Sequence, residues 1–214
     1  MRTIYQDETI VVVDKPSGLL SVPGRGPEKV DSVSHRIRQQ FPTAPAHPEV
    51  HRLDMDTSGL LVLALTAEAQ RHLSMQFQNR ETEKIYHALL ERPLPTELGT
   101  AGLIELPFRL DIDNRPYQIY DEVHGKMGLT HWRALPSSEK SHPLIEFTPV
   151  TGRTHQLRVH AAHRKGLDTP IIGDPLYGTG TGPGQLKLHA SVLTITHPVS
   201  LERLTFKSTA PFLP

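Results

Sequence analysis

His51-Arg52-Leu53-Asp54-Met55-Asp56-Thr57-Ser58-Gly59 runs directly into Leu60-Leu61-Val62-Leu63-Ala64-Leu65. The polar half carries an Arg, two Asp, a Thr, a Ser and a Gly. The apolar half has the length and composition of a strand buried on both faces. A rigid strand that begins where charged groups end can present them to a cleft, which makes this junction a candidate site. The same Asx- and hydroxyl-rich residues also suit an ordinary turn, so the stretch alone does not assign a function.

Further strands lie on either side. Thr9-Ile10-Val11-Val12-Val13 is β-branched and stops at Asp14-Lys15-Pro16-Ser17-Gly18, a turn-rich segment. Residues 85–90, 129–134, 144–150 and 186–196 also read as strands. Helical spacing is rarer. Val33, Ile37 and Phe41 share a face over residues 32–41. Thr66 is a suitable N-cap for a helix through Ala69, Leu73 and Phe77. Leu157 and Ala161 lie four apart in a third helix expected over 153–163. Strands, few helices and long Pro/Gly loops predict an α+β fold rather than a βαβ repeat. No internal repeat or linker divides the chain, so residues 1–214 are expected to form a single domain.

Composition narrows the function classes. The 214 residues include 23 Lys+Arg and 23 Asp+Glu, 37% are hydrophobic, and there is no Cys. Disulfides, thiolate nucleophiles, zinc fingers and iron–sulfur ligation are excluded. The apolar run from Leu60 to Ala64 is too short to span a bilayer, so no membrane association is expected. The first residues reach Asp7 and Glu8 before any apolar stretch, unlike a secretory leader, which predicts a cytoplasmic protein. Zero net charge argues against a polycation that coats nucleic acid. The charge is uneven, however. Residues 51–150 carry a net −4, and residues 151–214 a net +4.

That basic segment holds a second polar cluster, Thr151-Gly152-Arg153-Thr154-His155-Gln156-Leu157-Arg158-Val159-His160, then His163, Arg164 and Lys165. On a helix starting near Thr154, one face would turn Arg158 inward. Another face, with Arg153, His160 and Arg164, would offer cations to phosphate. A solvated basic helix fits the same pattern. The spacing of His155, His160 and His163 matches no metal motif, and no metal is expected. A third cluster is Glu83-Lys84-Ile85-Tyr86-His87-Ala88, where Lys84, Tyr86 and Ala88 share one side of a strand. Gly178-Thr179-Gly180-Thr181-Gly182-Pro183-Gly184 reads as a surface loop, since no Lys-Ser/Thr follows to make a phosphate loop.

Taken together, these stretches resemble the RluA family of pseudouridine synthases. The resemblance is carried by the 51–59 and 151–160 runs, Lys15-Pro16-Ser17-Gly18-Leu19, Lys84-Ile85-Tyr86, Gly173-Asp174-Pro175-Leu176-Tyr177-Gly178 and Leu188-His189-Ala190. It covers nearly the whole chain. Leu19-Leu20-Ser21-Val22-Pro23-Gly24-Arg25 and the short C-terminus look like the small branch that modifies both a tRNA anticodon stem-loop and a 23S rRNA stem-loop. The resemblance implies a mixed, mostly antiparallel sheet across two subdomains. It also implies an isomerase that needs no cofactor. The first core strand is expected near Thr9, so the N-terminal S4 module of many relatives is not expected here.

The resemblance also implies roles. Asp54 would be the essential carboxylate, acting either as nucleophile at C1′ or as base at C2′. Arg158 would pair with it, and Tyr86 would lie against the base and help remove the C5 proton. Arg52 would fill the space of the extracted nucleotide, Lys84 would support its strand, and Leu188 would pack on the uracil. Arg153, His160, Arg164 and Lys165 would contact RNA. A self-contained core suggests a monomer. Two other readings stay open at this point. Asp54-Met55-Asp56-Thr57 fits the Asp-x-Asp-x-Thr signature of haloacid-dehalogenase-type phosphatases, although residues 48–52 make a poor buried strand and no later acidic pair is evident. A non-catalytic RNA-binding module is the other.

Overall fold

The structure, a computed structural model, describes residues 1–136 and 141–213. Its regular elements in chain order are β1 (Arg2–Gln6), β2 (Ile10–Lys15), α1 (Val33–Gln40), β3 (Ser58–Ala64), α2 (Ala67–Asn79), β4 (Glu83–Leu89), β5 (Ala101–Leu110), β6 (Gln118–Tyr120), β7 (Lys126–Leu135), β8 (Leu144–Pro149), α3 (Gln156–Ala162), β9 (Leu188–Thr196) and β10 (Arg203–Lys207). They form two compact units, one of residues 1–84 with 189–214, the other of residues 85–188.

In the first unit the strands run in the order β1-β2-β3-β9, and β10 pairs with β9. All pairs are antiparallel except β3 with β9, a short parallel contact of Ser58 with His189 and Gly59 with Ala190. Every residue of β3 is buried, as its unbroken apolar run implies. Ile10, Val12, Leu60, Val62, Leu73, Leu193 and Ile195 form this unit's core. Thr66 caps its helix as expected from the sequence, and Ser32 also serves as an N-cap. Ser32 accepts a hydrogen bond from His35 N, and Thr66 accepts one from Ala69 N.

The second unit orders its strands β4-β8-β7-β5-β6, all antiparallel. Its core contains Ala88, Leu90, Leu106, Phe108, Ile145, Phe147 and Val159. The α+β class with a mostly antiparallel sheet therefore holds. β1, β5, β6 and β10 are additions to the strands read from sequence.

The third helix is shorter than expected. It spans Gln156–Ala162, and His155 stands before it in the left-handed region at φ 56°, without a side-chain cap. Thr154 is not its N-cap. The Gln156 side chain explains the late start. It accepts from Thr151 Oγ1 (2.7 Å) and Arg153 N (3.1 Å), and it donates to Leu129 O and Thr130 Oγ1. These bonds hold residues 151–155 as a loop against β7. Among the described residues no helix is long and apolar enough to cross a membrane.

Candidate active site

The 51–59 stretch is a loop that closes in a turn, with Thr57 N donating to Asp54 O at 3.1 Å before β3 begins. Side chains from neighbouring segments hold it by its backbone. Lys15, at the end of β2, is fully buried, and its ammonium donates to Met55 O (2.8 Å), Leu19 O (2.7 Å) and Pro16 O (3.1 Å). Ser21 Oγ donates to Leu53 O at 2.7 Å, and Leu53 N donates to Ser21 Oγ. Ser17 Oγ donates to Asp56 O, and Gly18 N to Met55 O at 3.0 Å. The Lys-Pro-Ser-Gly-Leu segment thus forms a cradle around the Asp54 turn.

Burial lowers the Lys15 ammonium to a pKa of about 8, while the nearby Asp56 and Asp54 carboxylates pull it upward. The turn is therefore backed by a buried cation that remains charged at neutral pH. Asp54 itself is half-buried, Asp56 is buried and Arg52 is exposed. His51 anchors the upstream end. Its Nε2 accepts from Val62 N at 3.1 Å, and its ring stacks on Phe77 at 4.3 Å and 15°. Burial first, and the Lys84 charge second, lower the His51 pKa to about 3, so the ring is neutral. Lys84 is itself half-buried, with its ammonium 6.0 Å from the Phe77 ring centroid.

In the second unit Arg158 is almost fully buried and forms a two-bond fork with Asp174. Nε donates to Oδ2 at 2.8 Å and Nη2 to Oδ1 at 2.6 Å. Asp174 Oδ1 also accepts from Leu176 N and Tyr177 N. The Tyr177 ring lies 5.3 Å from the Arg158 guanidinium carbon, and its hydroxyl accepts from Gln118 N and pairs with His155 Nδ1. The guanidinium is therefore locked in direction. Tyr86 is half-buried on β4, opposite Phe147 of β8.

The remaining residues singled out from sequence divide clearly. Arg164 and Lys165 are exposed, and Lys165 Nζ donates to Tyr120 OH at 3.0 Å. Arg153 is half-buried, with Nε donating to Met127 O at 2.9 Å. Leu188 is buried in the second unit's apolar cluster. His160 does not belong to a phosphate-facing surface. It is fully buried edge-on against Phe108, neither ring nitrogen has a hydrogen-bond partner, and burial lowers its pKa to about 4. A neutral imidazole in an apolar core offers nothing to phosphate. Lys15, Ser21 and Asp174 were not assigned roles from sequence, although all three lie in quoted stretches. Among the described residues no group of three or more His, Asp or Glu is arranged to hold a metal ion.

A family model described as RNA pseudouridylate synthase matches residues 9–163. The dual-specificity RNA pseudouridine synthase RluA of Haemophilus ducreyi is 44% identical over 216 residues, covering 99% of this chain and 94% of that protein. The protein of the same name from Escherichia coli K12 is 44% identical over 213 residues, covering 98% and 93%. Among solved structures, human RNA pseudouridylate synthase domain containing 1 superimposes with a TM-score of 0.77 at 27% identity, covering 100% of this chain and 84% of that one. Human RNA pseudouridylate synthase domain containing 4 gives 0.75 at 26% identity, covering 99% and 89%. With a family match over most of its length, and relatives alike from end to end, this chain belongs to the RNA pseudouridylate synthase family and is an isomerase acting on RNA.

Proposed function

We propose that the chain converts specific uridines to pseudouridine in two RNAs, a tRNA anticodon stem-loop and a stem-loop of 23S rRNA. It works as a single catalytic domain, a monomer in the cytoplasm, without metal or cofactor. Two relatives that it matches over nearly its whole length carry the description dual-specificity, which supports the choice of two substrates. Family membership sets aside the phosphatase reading of Asp54 and Asp56 and the non-catalytic one.

The reaction breaks the N1–C1′ bond, turns the uracil and joins C5 to C1′. It is redox-neutral and needs a carboxylate at the ribose. The observation that carries the assignment of Asp54 is its turn, held through the carbonyls of Leu53, Met55 and Asp56 by Ser21, Lys15 and Ser17. A carboxylate on a backbone fixed at three residues, one before it and two after, keeps its aim, which reactions at a defined ribose carbon require. Asp54 acts as nucleophile at C1′ or as base at C2′. Tyr86 serves the base and the C5 proton, and Arg158 supplies the cation of the reacting site. Arg52 takes the space that the extracted nucleotide leaves. Arg153, Arg164 and Lys165 take phosphates, and Lys84 supports the Tyr86 strand. A base inside a stack cannot react, and loops give it up most cheaply, at a cost of a few kcal/mol, in keeping with stem-loop substrates.

A pseudouridine map of cellular RNA with and without the gene tests this. Loss of a site in the tRNA anticodon stem-loop and of one in 23S rRNA is expected. An unchanged map contradicts the function, and loss in one RNA alone contradicts dual specificity.

A further inference from the structure

Four residues from separate stretches of the first unit join in a buried chain of hydrogen bonds. Ser58 Oγ lies 2.8 Å from His189 Nδ1, His189 Nε2 lies 3.1 Å from Ser208 Oγ, and Ser208 Oγ donates to Asp14 Oδ2 at 2.8 Å. Ser58, His189 and Ser208 are 6%, 1% and 5% exposed. Asp14 is more open and also receives Arg2 Nη2 at 3.2 Å.

The direction of the chain follows from the donors. An ionised Asp14 can only accept, so Ser208 spends its proton there. Ser208 Oγ can then take a proton only from His189 Nε2–H. In the neutral imidazole Nδ1 is then left as an acceptor, and Ser58 donates to it. A carboxylate on β2 therefore sets the tautomer of a histidine on β9, and that tautomer sets the hydroxyl of the first residue of β3. The backbone is equally constrained here. Ser58 pairs with His189 and Gly59 with Ala190 in the short parallel contact. Gly59 has φ +109°, and a Cβ on it would collide with the Ala190 backbone. The Thr-Ser-Gly end of the Asp54 stretch and the distant Leu-His-Ala stretch are thus two halves of one junction. The relay also returns to the Asp54 turn by a second route, because Asp14 precedes Lys15, which holds Met55 O.

We infer that His189 is a positioning residue for the chemical step: held as its Nε2–H tautomer by Ser208 and Asp14, it fixes Ser58, and through it the exit of the Asp54 turn. The inference rests on Asp54 being the essential carboxylate. It adds a dependence of the chemical rate on Ser208, a residue beyond β10 that takes no part in the reaction.

The test compares wild type, Ser58→Ala, Ser208→Ala, Ser208→Thr and the double alanine variant. The readouts are single-turnover pseudouridine formation, Kd for the RNA, and Tm. Each alanine variant is expected to slow the chemical step roughly tenfold, since small displacements of reacting groups are costly, with Kd within twofold of wild type. The double variant should be no slower than the slower single one, because both cut the same chain. Ser208→Thr, which keeps the hydroxyl, should restore the rate. Rates within twofold of wild type in both alanine variants would overturn the inference. So would multiplicative losses in the double variant, or a rate loss that only tracks loss of RNA binding and folded protein. Should Ser208→Ala not fold, Ser58→Ala and His189→Gln decide by the same limits. A wild-type protein that forms no pseudouridine contradicts the activity itself rather than the relay.

Discussion

His160 sits at full burial with both ring nitrogens unpartnered, and this has a measurable consequence. Burial, and then the nearby His163, lowers its pKa from the usual 6.5 to about 4. The folded protein therefore holds His160 neutral where an unfolded chain binds a proton. Stability is complete above pH 6.5 and falls as pH drops from 6.5 to 4, by about 3 kcal/mol over the window. His51, also lowered by burial, acts in the same direction. Urea denaturation from pH 7 to pH 4.5 should show this loss, and His160→Leu should flatten part of it. An unchanged slope in that variant would show that His160 is not a source. The residue also shows what a spacing argument misses. Arg153, His160 and Arg164 fall on one helical face by number, but a run beginning at Gln156 turns His160 into the core and leaves Arg164 outside. Lys15 was hidden for a related reason. Its burial depends on three carbonyls supplied by Pro16, Leu19 and Met55, and the last of these is forty residues away.

At the scale of elements, the junction of β3 and β9 bears the most weight. Gly59→Ala would force a side chain into the left-handed region and into the Ala190 backbone. Positive φ alone costs an L-residue roughly 1–2 kcal/mol, and the collision adds to it. A loss of at least about 2 kcal/mol in unfolding free energy is expected; a change below about 0.5 kcal/mol would show that the junction yields. The central strands were legible because their signal is local. β2 and β3 are continuous apolar runs, α1 shows in the spacing of Val33, Ile37 and Phe41, and α2 announces itself by Thr66. β5 was hidden by Gly102 and Pro107, which read as breakers. β10 buries only Phe206 and reads as a polar tail. α3 starts later than its expected residue 153 because the side chain of Gln156, invisible to periodicity, claims the backbone that would have formed its first turn.

For the whole molecule, the balanced charge turns out to be a matter of arrangement. The acidic middle and basic end are separate in sequence, yet the cations of the end do different work. Arg158 is buried in the second unit, where it forks onto Asp174, whereas Arg164, Lys165, Arg203 and Lys207 are exposed. The proposed catalytic residues Asp54, Tyr86 and Arg158 were readable only as part of long motifs, since a lone acid, tyrosine or arginine carries no such meaning. Their supports, Lys15, Ser21 and Asp174, depend on contacts across the fold. The central claim is that Asp54 performs the chemistry while its turn is held by others. Single-turnover pseudouridine formation by Asp54→Asn, on a tRNA anticodon stem-loop and on a 23S rRNA stem-loop, tests it most directly. The account predicts no pseudouridine on either RNA, with Kd and Tm close to wild type. Turnover at the wild-type rate on either RNA would contradict it.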